Sequence, residues 1–130
     1  MTNLFTLKTA AQTDVDNVAP NRVKFTLEKN EQGRNELVMR YAYTNSEGED
    51  TFCEKFCEPT CHGADMLVTF IEQRADFLNA SCEEQIECQK ANVHPQYFKQ
   101  WSDALKAGKS EKEIFAEVPR LITFHNISTK

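Results

Sequence analysis

The sequence has no long apolar run, no low-complexity tract and no internal repeat. No stretch approaches the roughly 18 uninterrupted apolar residues that cross a bilayer, so neither a membrane-spanning helix nor a membrane partner is expected. Residues 1–8 (MTNLFTLK) do not set a basic segment before an apolar one, so an intracellular, non-secreted protein is the expectation. Glycine and proline number four each. They form no Gly-rich phosphate loop and no nucleophile elbow, and no carboxylate pair stands in a context that suggests acid–base work. No reaction class is indicated, and the chain is read as not an enzyme. Five cysteines is an odd number, and in a reducing compartment thiols stay free or bind metal more often than they pair.

A chain of 130 residues, 40% apolar and with nine phenylalanines, is long enough to bury one core and too short for two ordinary domains. Its net charge of −5 is an average over three unlike blocks. Residues 1–44 carry six Lys/Arg against five Asp/Glu, residues 45–92 three against eleven, and residues 93–130 six against four. The acidic middle block also holds all five cysteines.

Residues 9–21 show no period and are rich in turn formers, so residues 1–21 are expected to form an extended arm. Residues 22–28 alternate strictly, residues 37–43 are β-branched and aromatic, and Asn30-Glu-Gln-Gly33 lies between them, which predicts a hairpin. Alternation sends Val23, Phe25 and Leu27 to one face with Leu37, Met39, Tyr41 and Tyr43, and Arg22, Lys24 and Thr26 to the other with Val38, Arg40 and Ala42. A turn at Asn45-Ser-Glu-Gly48 allows a third strand over 50–56, closing a sheet part at 22–56. From Asp65 the period becomes helical, with Leu67, Phe70, Ile71, Arg74, Phe77 and Leu78 predicting one helix over 64–79. Ser81 with Glu84 and Ser110 with Glu113 fit capping boxes, the first opening a helix over 82–91. Pro95 opens a helix whose stripe is Phe98, Trp101, Ala104 and Leu105 and which Gly108 ends. The helical part thus runs over 62–118, and residues 121–124 within 120–125 read as a closing strand. The expected fold class is α+β: an N-terminal antiparallel hairpin or small sheet, then three or four short helices.

The densest chemical cluster is Cys53-x3-Cys57-x3-Cys61-His62, four groups of the kind zinc binds. A single run this crowded must fold back sharply to make a tetrahedron, and Pro59 interrupts any shared helical face. Buried structural thiols are the favoured use of these cysteines, with zinc as the candidate cofactor otherwise. Cys61-His62 as a catalytic pair is disfavoured because sequence neighbours point apart.

The leading functional reading is non-catalytic binding of single-stranded nucleic acid, with self-association of the protein. Cations at Arg22, Lys24 and Arg40 on one sheet face, with Tyr97, Lys99, Trp101 and Lys106 on the helix after Pro95, supply the charge and stacking rings that a single strand needs. A rival reading is a protein-interaction or inhibitor module using the acidic run 47–58, where Glu47, Glu49, Asp50, Glu54 and Glu58 could dock on a basic partner. A third is a zinc-stapled interaction module.

Overall fold

The computed structural model describes residues 3–119. Helix α1 (Leu4–Val18) precedes an antiparallel sheet of β1 (Val23–Lys29), β2 (Asn35–Thr44) and β3 (Asp50–Cys57) in the order β1-β2-β3. Then come α2 (Cys61–Glu72), α3 (Ala75–Asn79), α4 (Cys82–Lys90), a 3-10 turn at Pro95–Tyr97, α5 (Phe98–Lys106) and α6 (Glu111–Glu117). The fold is α+β, as the sequence pattern predicts, with one helix ahead of the sheet. Among the described residues no helix is long and apolar enough to cross a membrane.

The hairpin forms with the predicted faces, in a register that pairs Phe25 with Met39, Leu27 with Leu37 and Lys24 with Arg40. Asn30 shapes its turn by accepting the backbone N–H groups of Gln32 and Arg34. Asn45 repeats the device between β2 and β3, accepting from Glu47 and Glu49. Both are Asx turns, in which a short side chain does what a backbone carbonyl would otherwise do.

Residues 9–21 are not an extended arm. Most of them lie in α1, whose N-cap Asn3 accepts from Phe5 and Thr6 and whose buried face is Leu7, Ala11 and Val15, continued by Ala19. One apolar residue per turn is a thin stripe, diluted by Thr9, Gln12, Thr13, Asp14 and Asp16. The threonines stay helical because their hydroxyls donate to carbonyls one turn back, Thr9 to Phe5 and Thr13 to Thr9. Gln12 then fixes α1 to the edge of the sheet: its Nε2 donates to Val23 O and its Oε1 accepts the Phe25 N–H, both at 2.8 Å.

The single helix predicted over 64–79 is two. α2 begins earlier, at Cys61, with Thr60 accepting the Gly63 N–H at 3.0 Å, and the helix breaks at Arg74, where φ is −115° and ψ is 7°. Arg74 Nη1 donates to Phe70 O at 3.1 Å, so a terminal carbonyl of α2 is satisfied by a side-chain cation that the helix dipole also favours there. Both capping boxes are present, at Ser81/Glu84 and Ser110/Glu113. The predicted closing strand at 121–124 lies outside the described residues.

The core gathers the inner sheet face (Val23, Phe25, Leu37, Met39), the α1 stripe, Ala64, Leu67, Val68 and Ile71 of α2, and Phe77, Leu78, Cys88, Phe98, Trp101 and Ile114 from the later helices. One buried polar side chain ties these layers together. Gln85 is 2% exposed; it accepts the Thr44 N–H and donates to Phe77 O and Leu78 O. Gln89, one turn on, donates to Thr44 O, so the end of β2 is held by two amides of α4. A buried polar group tolerates its site only when satisfied, and Gln85 is satisfied three times.

Candidate binding surface on the outer sheet face

The sheet's two faces differ. The inner one is covered by helices, whereas the outer one carries Arg22, Lys24, Thr26, Glu28, Glu36, Val38, Arg40, Ala42, Phe52, Glu54 and Phe56. Phe52 and Phe56 are 75% and 63% exposed. Neighbouring strands bring Lys24, Arg40 and Glu54 into one row, with Thr26, Val38 and Phe56 in the next outer-face row. Val38 is buried yet stands apart from the core cluster, so it is sheltered by side chains of the outer face itself.

Arg22, Lys24 and Arg40 do lie together, lining an open groove of about 540 Å³ with Gln12, Asp16 and Phe52. Their charges are not equivalent. Arg40 is spent within the sheet: its guanidinium pairs with Glu28 and, at 3.1 Å, with Glu54. Hydrogen bonds from Arg40 and then Thr26 hold the Glu28 carboxyl down at about 2. Arg22 and Lys24 have no carboxylate within salt-bridge distance among the described residues. On this face three cations therefore meet Glu28, Glu36, Glu54 and the terminal Asp50, and the balance is not positive.

The other predicted binding residues are on α5 and the 3-10 turn, among the later helices. Trp101 is 6% exposed and packs against Phe98, ring centres 6.0 Å apart. Lys99 is paired with Asp103 at 2.8 Å. Tyr97 is half-buried with its ring 6.2 Å from that of His94, and Lys106 is exposed. The exposed aromatics that sequence reasoning missed are Phe52 and Phe56 on the sheet and Phe5 on α1. The signal was present in the third strand: Phe52 and Phe56 alternate out of phase with Cys53 and Cys57, so only one pair can face inward.

The cysteine run is divided by this alternation. Cys53 and Cys57 take the inner side of β3 and are half-buried, while Cys61 and His62 open α2 and are exposed. Burial raises the Cys57 thiol, with Glu36 and Glu58 adding to it; this disfavours the thiolate a metal would need. Among the described residues no group of three or more His, Cys, Asp or Glu side chains converges to hold a metal ion. Cys88 is a core residue whose burial pushes its thiol up to about 12. Cys82 is exposed.

The sheet's edges differ as sharply as its faces. β1 is closed by Gln12 of α1. β3 pairs only with β2, leaving its far edge without a strand or side-chain amide among the described residues. Around this edge stand Glu47, Glu49, Asp50, Glu54 and Glu58, all exposed. No protein-family model, no curated protein and no solved structure matches the chain.

Proposed function

We propose that the protein is a non-catalytic interaction module that takes a basic, extended segment of a partner protein on β3. The observation that carries this is the coincidence, on one strand, of an unclaimed edge, two exposed phenylalanines and a fringe of carboxylates. An edge offers main-chain hydrogen bonds to an added strand, and pockets or rings on alternate positions give that strand its specificity. Full burial of an exposed Phe is worth about 1.5–3 kcal/mol, so Phe52 and Phe56 are the natural anchors. The carboxylates select cations on the partner and steer its approach.

Self-pairing of β3 is the less favourable use of the edge. An antiparallel two-fold pairing that sets Phe52 opposite Phe56 also sets Glu54 opposite Glu54, and like charges directly opposite are destabilising. Lys55, on the inner side of the same strand, is a charge of the kind that guards edges against copies of themselves. A single-stranded nucleic acid is a second reading, supported by Arg22, Lys24 and Phe52 lining one groove. Phosphates in that groove would meet Asp16 beside it and Glu54 across Arg40, so the charge balance ranks this reading below a basic peptide.

The experiment is fluorescence polarisation with three probes: a peptide alternating Lys and Val, one alternating Glu and Val, and an oligothymidylate. The Lys/Val peptide is expected to bind at low salt, to weaken as salt rises, and to lose about tenfold or more in the Phe52→Ala/Phe56→Ala variant. No binding of that peptide, or binding that the variant leaves unchanged, overturns the proposal. Oligothymidylate binding that requires Arg22 and Lys24 would establish the second reading in its place.

A further inference from the structure

We infer that the cleft between the end of β2 and helices α3 and α4 binds a small organic anion, its carboxylate or phosphate head held by Arg74 and His94 and its apolar body lying along Tyr41, Tyr43 and Phe77. The site lies on the helix-covered side of the sheet and is independent of the β3 edge. Its cavity is about 380 Å³, and Arg74 is the only charged residue among those lining it; Ser46 and Gln89 add polar groups to an otherwise apolar and aromatic wall. This is the composition of a small-molecule site: mostly apolar, with a few polar groups that converge.

Arg74 has no carboxylate within salt-bridge distance among the described residues, although the block 45–92 holds eleven acids against three cations. Two of those three cations meet on one ring: the Arg74 guanidinium lies 3.7 Å from the Phe70 ring centre and Lys55 Nζ 5.4 Å from it. The ring, the Phe70 carbonyl and the Gln73 side chain explain part of the guanidinium's environment: Nη1 donates to Phe70 O at 3.1 Å, capping α2, and at 3.5 Å to Gln73 Oε1. These do not use the Nε and Nη2 hydrogens, three of the five donors a guanidinium has. Burial lowers the Arg74 pKa, as expected of a cation held partly out of water without a counter-ion.

His94 stands between the lining residues Val93 and Pro95 without being one of them, and meets the site at Arg74. Its Nδ1 accepts the Gln96 backbone N–H at 3.1 Å, so in the neutral ring the proton sits on Nε2. That Nε2 lies 3.5 Å from Arg74 Nη2. Burial, and then the charge of Arg74, hold the His94 pKa below its ordinary value, which keeps the ring neutral near pH 7. Two N–H donors therefore face each other, and neither can accept from the other. An oxyanion resting against both supplies the acceptor they share, in the planar geometry a guanidinium prefers. Tyr41 and Tyr43, which line the same cavity, stay protonated phenols, because burial, and next the Cys53 thiol, raise both.

The test titrates the full chain with benzoate, phenyl phosphate, inorganic phosphate and benzyl alcohol, reading the His94 imidazole resonances by NMR and the heat by calorimetry. Benzoate or phenyl phosphate should saturate, move the His94 signals and raise its pKa, since an anion favours the imidazolium. Benzyl alcohol should not. Arg74→Lys, which keeps the charge but not the fork, and His94→Asn, which keeps an acceptor for Gln96 but removes Nε2–H, should each weaken binding by about tenfold or more. The preferred head group follows from benzoate against phenyl phosphate. The inference is overturned if neither organic anion moves His94, if benzyl alcohol binds as well as benzoate, or if both variants bind like the wild type. Inorganic phosphate binding as tightly as phenyl phosphate overturns the role given to the apolar wall. The wild-type titration decides the matter even where a variant fails to fold.

Discussion

The first and third strands are both sheet edges, and the chain treats them in opposite ways. At β1 a side-chain amide from α1 occupies the outward backbone groups, Gln12 serving Val23 O and the Phe25 N–H. At β3 nothing comparable is present among the described residues, and Phe52 and Phe56 are left to solvent. An unpaired edge is a hazard that folded proteins blunt by covering, charging or bulging it. Covering closes an edge to every partner, whereas charging leaves it open to partners of opposite sign. β1 is covered and β3 is charged, and that contrast is the physical basis for placing the interaction surface at β3.

The largest expected effect comes from prying the sheet from α2 at the end of β3. A Cβ at Gly63 would stand 2.5 Å from Glu58 O and 2.9 Å from Cys57 Sγ, and a backbone carbonyl cannot step aside as a flexible side chain does. Gly63→Ala should cost about 1–3 kcal/mol, the range of overpacking into a close contact, measured by urea unfolding; a change within about 0.5 kcal/mol would mean that α2 is not seated on β3 as described. Next is the closed edge. Gln12→Ala should cost about 1–2 kcal/mol for two lost hydrogen bonds at half-buried groups, and the Phe25 amide should exchange with solvent much faster. If Phe25 stays protected, α1 does not close that edge.

Substitutions on the open edge should be mild for the isolated protein. Phe52→Ala and Phe56→Ala change side chains already exposed, so stability should move by no more than about 0.5 kcal/mol each, and a larger loss would show that these rings are packed. The smallest effect concerns the outer-face ion cluster and is a matter of pH. The Glu28 carboxyl has its folded value at about 2, below the 4.5 it has when unfolded, so folding favours the ionised form. Its contribution is present in full above about 4.5 and disappears as pH falls toward 2. Glu28→Gln should flatten that limb of the acid-unfolding profile while leaving the neutral region nearly unchanged. An unaltered limb would separate Glu28 from Arg40.

Much of this organisation was legible in the residues. Strict alternation assigned both faces of the hairpin, and two Ser-x-x-Glu patterns became two capping boxes. The helix at α1 was not legible because its stripe is one apolar residue per turn, and Thr, Asn and Asp read as turn formers unless their side chains are known to bond back to the helix. The break at Arg74 is equally hidden: the 3.6-residue spacing of Ile71, Phe77 and Leu78 continues through it, and only the stacking of the guanidinium on Phe70 shows why the backbone departs. Aromatic placement failed for a different reason. Trp101 and Phe52 are both aromatic residues near cations, and only the packing of α5 and the pleat of β3 make one a core residue and the other a surface one. Arg74 and His94 carry no local signal at all. They are twenty residues apart, and their opposed donors arise from a helix terminus meeting a 3-10 turn.

The most direct measurement is amide hydrogen exchange of the full chain with and without the Lys/Val peptide. Without peptide, the Phe25 amide should be protected and the β3 amides not bonded to β2 should exchange quickly. With peptide, those β3 amides should become protected while Phe25 is unchanged. β3 amides already protected in the free protein, or protection by the peptide that falls elsewhere, would contradict the claim that β3 is the chain's open edge.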